Sequence, residues 1–142
     1  MAIYREADSL MAHLSCDAST NCCRFGVTGR EPYVTEIELA EITEAVAAKG
    51  GRAKPKKRAL EIAGERRCPM LTDAGKCAIY ASRPLGCRTF FCGPALAKLH
   101  AKLPRADLQR LVQKIEALSE RAFRGREGSR PLSRVVSPRR TK

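Results

Sequence analysis

Cysteine is the residue type on which the chemistry of this sequence turns. Cys16, Cys22 and Cys23 form an N-terminal group, and Cys68, Cys77, Cys87 and Cys92 a central one, seven in 142 residues. Thiolate sulfur is polarisable and donates well to borderline or soft ions, so zinc, an iron–sulfur cluster or copper(I) suits this donor set. Four thiolates on one zinc leave a net charge of about −2, which needs nearby donors. Arg83 and Arg88 lie on either side of Cys87 and are expected to supply them, lowering thiol pKa from outside the ligand shell. Ordinary surface charge is the alternative for both. The spacing is not that of a standard finger, since no Cys-x2-Cys pair occurs and Cys77-x9-Cys87-x4-Cys92 is loose. Adjacent cysteines are awkward ligands for a single tetrahedral ion, because successive side chains tend to diverge. Separate roles or separate metals are therefore open to Cys22 and Cys23.

A disulfide framework is the competing use of so many cysteines. The opening residues MAIYREADSL carry acids early and no apolar run of signal-peptide length, so a cytoplasmic, reducing compartment is expected. No stretch approaches the ~20 apolar residues of a membrane span. An odd cysteine count and an adjacent pair also suit disulfides poorly. Reduced cysteines acting as small core hydrophobes account for one such residue more readily than for seven. With 44% hydrophobic residues, 5% aromatics and no tryptophan, the core is modest, and cross-linking by a metal would supplement it.

The net charge of +12 is concentrated. Residues 49–58 (KGGRAKPKKR) carry basic residues and no acid, and residues 125–142 set their basic residues against Glu127 alone. Such runs can neutralise phosphates and bind nucleic acid in a salt-sensitive way, or they can be solvated loops and tails. Few aromatics are present to stack bases.

The elements that must position the thiols read mainly as helices. Ile3, Ala7, Leu10, Met11 and Leu14 share one face of a first helix running towards Cys16. CRFGVTGREPYVT suggests a short hairpin. Thr35 followed by Glu38 is a capping-box pattern, opening a helix with Leu39, Ile42 and Val46 on one face and Gly50-Gly51 as its stop. CPML and CAIY flank TDAGK, a turn former, so a two-strand knuckle is expected there. Pro104 precedes a longer helix with Leu108, Leu111, Val112, Ile115 and Leu118 on one face. The fold class expected is a small mainly α domain, residues 1–124, with an irregular cysteine-rich metal-binding centre and one or two short β-hairpins. Residues 125–142 read as a basic, disordered tail.

Three segments, Cys16 to Cys23 with the following VTEIELAEI, then CPML, then GKCAIYASRPLGCRTFFC, resemble the zinc- or iron-chelating domain family of YkgJ-type cysteine cluster proteins. The resemblance spans residues 16–92. The family's opening is Cys-x2-Cys-x2-Cys-Cys, whereas Ser19 stands at the second position here. His13 could supply a replacement nitrogen, although a lone histidine is more often an ordinary surface or core residue. The resemblance implies a protein that holds zinc or an iron centre through Cys16, Cys22, Cys23, Cys68, Cys77, Cys87 and Cys92. It also leaves open an iron–sulfur-dependent enzyme or redox protein, since a similar cluster occurs in the longer flagellin lysine N-methylases. A zinc-stabilised nucleic-acid-binding protein is the third reading. Protein partners and a metal storage or sensing role are not decided by these residues.

Overall fold

A computed structural model describes residues 1–14, 20–50, 66–90, 103–125 and 128–135. It is mainly helical. Helix α1 (Ala2–Leu10) buries Ile3, Tyr4 and Ala7. It stops four residues short of the helix expected to reach Leu14, although Met11 and Leu14 still turn inward from the chain that follows. A 3₁₀ turn (Asn21–Cys23) leads into the single-turn α2 (Phe25–Thr28), closed by Gly29 at φ 64°, a left-handed value that glycine adopts without strain.

The hairpin expected in residues 23–35 does not form. Tyr33–Val34 (β1) pairs instead with Arg130–Pro131 (β2), antiparallel, with Tyr33 opposite Pro131 and Val34 opposite Arg130. The reason is packing. α2 occupies the first arm of the expected hairpin, and Val34 is buried together with Leu132, which follows β2. Residues 130–135, which include the single turn α6 (Leu132–Val135), are therefore built into the fold, although the composition of residues 125–142 reads as a disordered tail.

Helix α3 (Glu36–Ala47) begins as its sequence predicts. Thr35 and Glu38 form the capping box, and the Thr35 N–H and hydroxyl both donate to Glu38 Oε2 at 3.0 Å. What the pattern does not disclose is that Glu38 is buried and that its Oε1 accepts the Leu85 N–H at 2.7 Å. Leu85 is the first residue of α4 (Leu85–Arg88). One carboxylate thus caps its own helix and holds the start of another. Its neighbour Glu36, also buried, pairs with Arg130 of β2.

Helix α5 (Arg105–Ala122) lays Leu111, Ile115 and Ser119 inward, and the Ser119 hydroxyl accepts the Ile37 N–H at 3.3 Å. Val112, expected on the same face, is 43% exposed, because the buried arc is narrower than the apolar stripe. Two cores result. Ile3, Tyr4, Ala7, Leu85, Leu111 and Ile115 make one. Phe25, Val34, Ile42, Cys68, Met70, Ile79 and Leu132 make the other, with Cys23 and Cys77 against it.

Replacing Glu38 by Ala would uncap α3 and leave the buried Leu85 N–H unpaired, so urea denaturation should show a loss of about 3 kcal/mol. Glu38→Gln, which keeps an acceptor oxygen, should lose less.

Candidate metal centre

Three separate segments carry the described cysteines, and backbone hydrogen bonds hold them together. The Cys68 N–H donates to the Cys23 carbonyl at 2.7 Å, the Gly26 N–H donates to the Arg66 carbonyl at 3.0 Å, and Arg24 bridges Arg67 antiparallel. This pairing fixes Cys22 and Cys23 beside Cys68. The expected knuckle is present, with Leu71 bridging Cys77, the Ala78 N–H on the Met70 carbonyl at 2.8 Å, and Gly75 at φ 70° in the TDAGK turn. Lys49, at the end of α3, donates to the Ala78 carbonyl and ties the knuckle down. Cys87 stands on α4, whose approach to β1 relies on Gly86: a Cβ there would sit 3.1 Å from Pro32 Cβ.

Cys22, Cys23, Cys68, Cys77 and Cys87 all line one cavity of about 1110 Å³. Cys16 and Cys92 fall outside the described residues, as does Ser19. The adjacent pair does not diverge. On the 3₁₀ turn, which Thr20 enters with a left-handed φ of 56°, Cys22 Sγ and Cys23 Sγ lie 4.0 Å apart and share a hydrogen bond. The sulfur–sulfur edge of a tetrahedral zinc site with Zn–S bonds near 2.3 Å is about 3.8 Å. The pair therefore needs little adjustment to serve one ion. Among the described residues, however, no three or more His, Cys, Asp or Glu side chains are drawn together closely enough to hold an ion. The thiols share a cavity without converging on one point. His13 is exposed and is not among the residues lining it.

The two arginines have different roles. Arg83 lines the cavity and its charge acts to lower the pKa of Cys22, Cys77 and Cys87. Arg88, expected to do likewise, is instead a buried clamp. It donates from Nη1 to Asp8 at 2.5 Å, from Nη2 to the Ala81 carbonyl at 2.5 Å and from Nε to the Arg83 carbonyl at 2.8 Å, and it lies 4.3 Å over the Tyr4 ring. It secures α1 to the 3₁₀ turn Tyr80–Ser82 and to α4. The sequence marks both as basic residues near Cys87, and only the fold tells them apart.

Metal-free, Cys22, Cys23, Cys77 and Cys87 hold their protons. Cys22 is pushed up by its hydrogen bond to Cys23, then by burial. Cys23 is lowered by that same bond but raised more by the Cys68 thiol, by burial and by repulsion from Cys68 and Cys77, reaching about 11. Burial raises Cys77, against the opposing Ile79 N–H and Arg83. Burial, then repulsion from Cys23, Cys77 and Cys22, pushes Cys87 up to about 12. Cys22, Cys23, Cys77 and Cys87 therefore face the cavity as neutral thiols.

The fold and cavity define a small, mainly helical protein with a shared thiol site. Comparison with known families agrees. The family model CxxCxxCC, described as "Putative zinc- or iron-chelating domain", matches residues 15–105, and the chain belongs to that family. No curated protein and no solved structure matches it. No helix among the described residues is long and apolar enough to cross a membrane.

Raised thiol pKa values mean that the metal-free folded protein binds these protons more tightly than the unfolded chain. The resulting stabilisation is fully present below the unfolded thiol range near 8.5 and is lost as pH rises through about 11 for Cys23 and about 12 for Cys87. The urea midpoint of chelator-treated, reduced protein should accordingly fall as the pH is raised from about 8 to 10.

Proposed function

We propose that this protein holds zinc or an iron centre by thiolate ligation, with the ion joining the N-terminal and central segments of the chain. The observation that carries this reading is the lining of one cavity by five thiols drawn from three separate segments. The Cys22–Cys23 separation of 4.0 Å and the nearby Arg83 charge support it. The residues we assign to the ion are Cys22, Cys23, Cys68, Cys77 and Cys87, with Cys16 and Cys92 as the further ligands that family membership suggests. Five described thiols exceed the four one tetrahedral ion needs, so a fifth is available for a second centre or for ligand exchange. Bound, the ion would supply cross-linking to a small core. Structural zinc contributes about 10–16 kcal/mol of apparent binding free energy, comparable with the whole stability of a typical domain at about 5–15 kcal/mol.

The basic segments give no comparable support for nucleic-acid binding. Residues 51–65 and 136–142 lie outside the described residues, and Lys49 is engaged by the Ala78 carbonyl.

Elemental analysis of protein purified anaerobically is the direct test. It should return zinc or iron bound in stoichiometric amount, with lower occupancy in Cys68→Ser and Cys87→Ser. Charge-transfer absorption would identify an iron–sulfur centre, and a colourless metal-loaded protein would identify zinc. Stripping the ion under reducing conditions should lower the urea midpoint at fixed pH, and an unchanged midpoint would rule out a structural role. Because ligation needs deprotonated thiols, the loaded protein should gain stability between about pH 6 and 8, the reverse of the metal-free trend.

A further inference from the structure

The cavity is far larger than an ion requires. Its volume, about 1110 Å³, is at the upper end of small-molecule sites, which run to about 1,000 Å³. Besides the sulfurs, the lining includes cationic and aromatic side chains. Arg83 lies 4.3 Å over the Tyr80 ring and Arg30 lies 5.7 Å over the Phe90 ring, and all four residues line the cavity. The Arg83 Nε–H is buried and, among the described residues, has no hydrogen-bond acceptor. Among the described residues neither arginine has a carboxylate within salt-bridge distance. Glu31, the one acid lining the cavity among the described residues, accepts the Ser133 N–H at 2.6 Å and lies 3.9 Å from Arg66. Two guanidinium groups backed by rings therefore line a large cavity, with no carboxylate of the described residues paired to them. A guanidinium fork matches the two oxygens of a carboxylate or phosphate, and an aromatic ring behind it restrains the side chain.

From these features we propose that the cavity binds a small organic anion, carrying a carboxylate or phosphate group, through Arg83 and Arg30 beside the thiols. The anion occupies the volume that an ion leaves open. Tyr80 and Tyr33, both 59% exposed and both lining the cavity, offer ring faces to a planar or apolar portion of the same molecule. The ligand class goes beyond the metal reading and does not depend on it, because neither arginine is a metal donor.

Calorimetric titration of the purified, metal-analysed protein with phenyl phosphate and with benzoate tests the proposal and separates the two anion classes. At least one probe should bind, and Arg83→Gln and Arg30→Gln should each weaken it about tenfold or more, as expected for a lost charge-assisted hydrogen bond. Metal content should stay at the wild-type level in Arg30→Gln, which is an exposed position. Arg83→Lys, which keeps the charge but lacks the fork, should recover only part of the affinity. Binding of neither probe would overturn the proposal. So would an Arg30→Gln variant with undiminished affinity, or an Arg83→Gln variant that loses metal yet binds the probe as before. That last result would assign Arg83 to the thiolate charge alone. Failure of the metal reading would show instead as wild-type protein without metal, whatever the probes do.

Discussion

A single buried carboxylate holds the two halves of this molecule in register. Glu38 accepts from both the backbone and hydroxyl of Thr35, which starts α3, and from the backbone of Leu85, which starts α4. The first set of bonds is local and the second crosses 47 positions of sequence. Together they fix where Cys87 stands relative to α3 and, through Lys49 at the far end of α3, relative to the knuckle that presents Cys77. A buried carboxylate is tolerable only when its oxygens are well supplied with donors, and here both are. The thiol site is therefore arranged by an oxygen atom that has no part in holding an ion.

Arg88 does for α1 what Glu38 does for α3. Its guanidinium is shared among Asp8, two backbone carbonyls and the face of Tyr4, so each of its nitrogens donates in holding elements together. Arg83, five positions earlier, keeps its side chain towards the cavity while its own carbonyl is held by Arg88. A cation used for architecture thus positions a cation available for chemistry. Both are needed because thiols that repel one another when ionised require nearby positive charge on a rigid support.

Local signals were legible in the sequence, and long-range ones were not. The Thr35–Glu38 capping box, the TDAGK turn and the inward face of α5 follow from propensity and spacing within a few residues. The pairing of Tyr33–Val34 with Arg130–Pro131 has no such signature, since two-residue strands show no alternation and one contains proline. The convergence of Cys22 and Cys23 depends on the left-handed backbone at Thr20, which composition does not announce at a threonine. The difference between Arg83 and Arg88 depends on the packing of α4, which carries Arg88 and lies against α1, while Arg83 precedes that helix. Cys16 and Cys92 were legible as candidate donors and lie outside the described residues.

The late closure of β1 on β2 has a consequence for how the protein is made. About a hundred residues separate Val34 from Arg130 and from Leu132, the side chain that completes the core behind Cys68. At roughly 5–20 residues per second of synthesis, the N-terminal thiols leave the ribosome several seconds before that wall is finished. During this interval the nascent chain displays its sulfurs on an open surface. The order of synthesis thus exposes these thiols to the surrounding solution before the core behind them is complete.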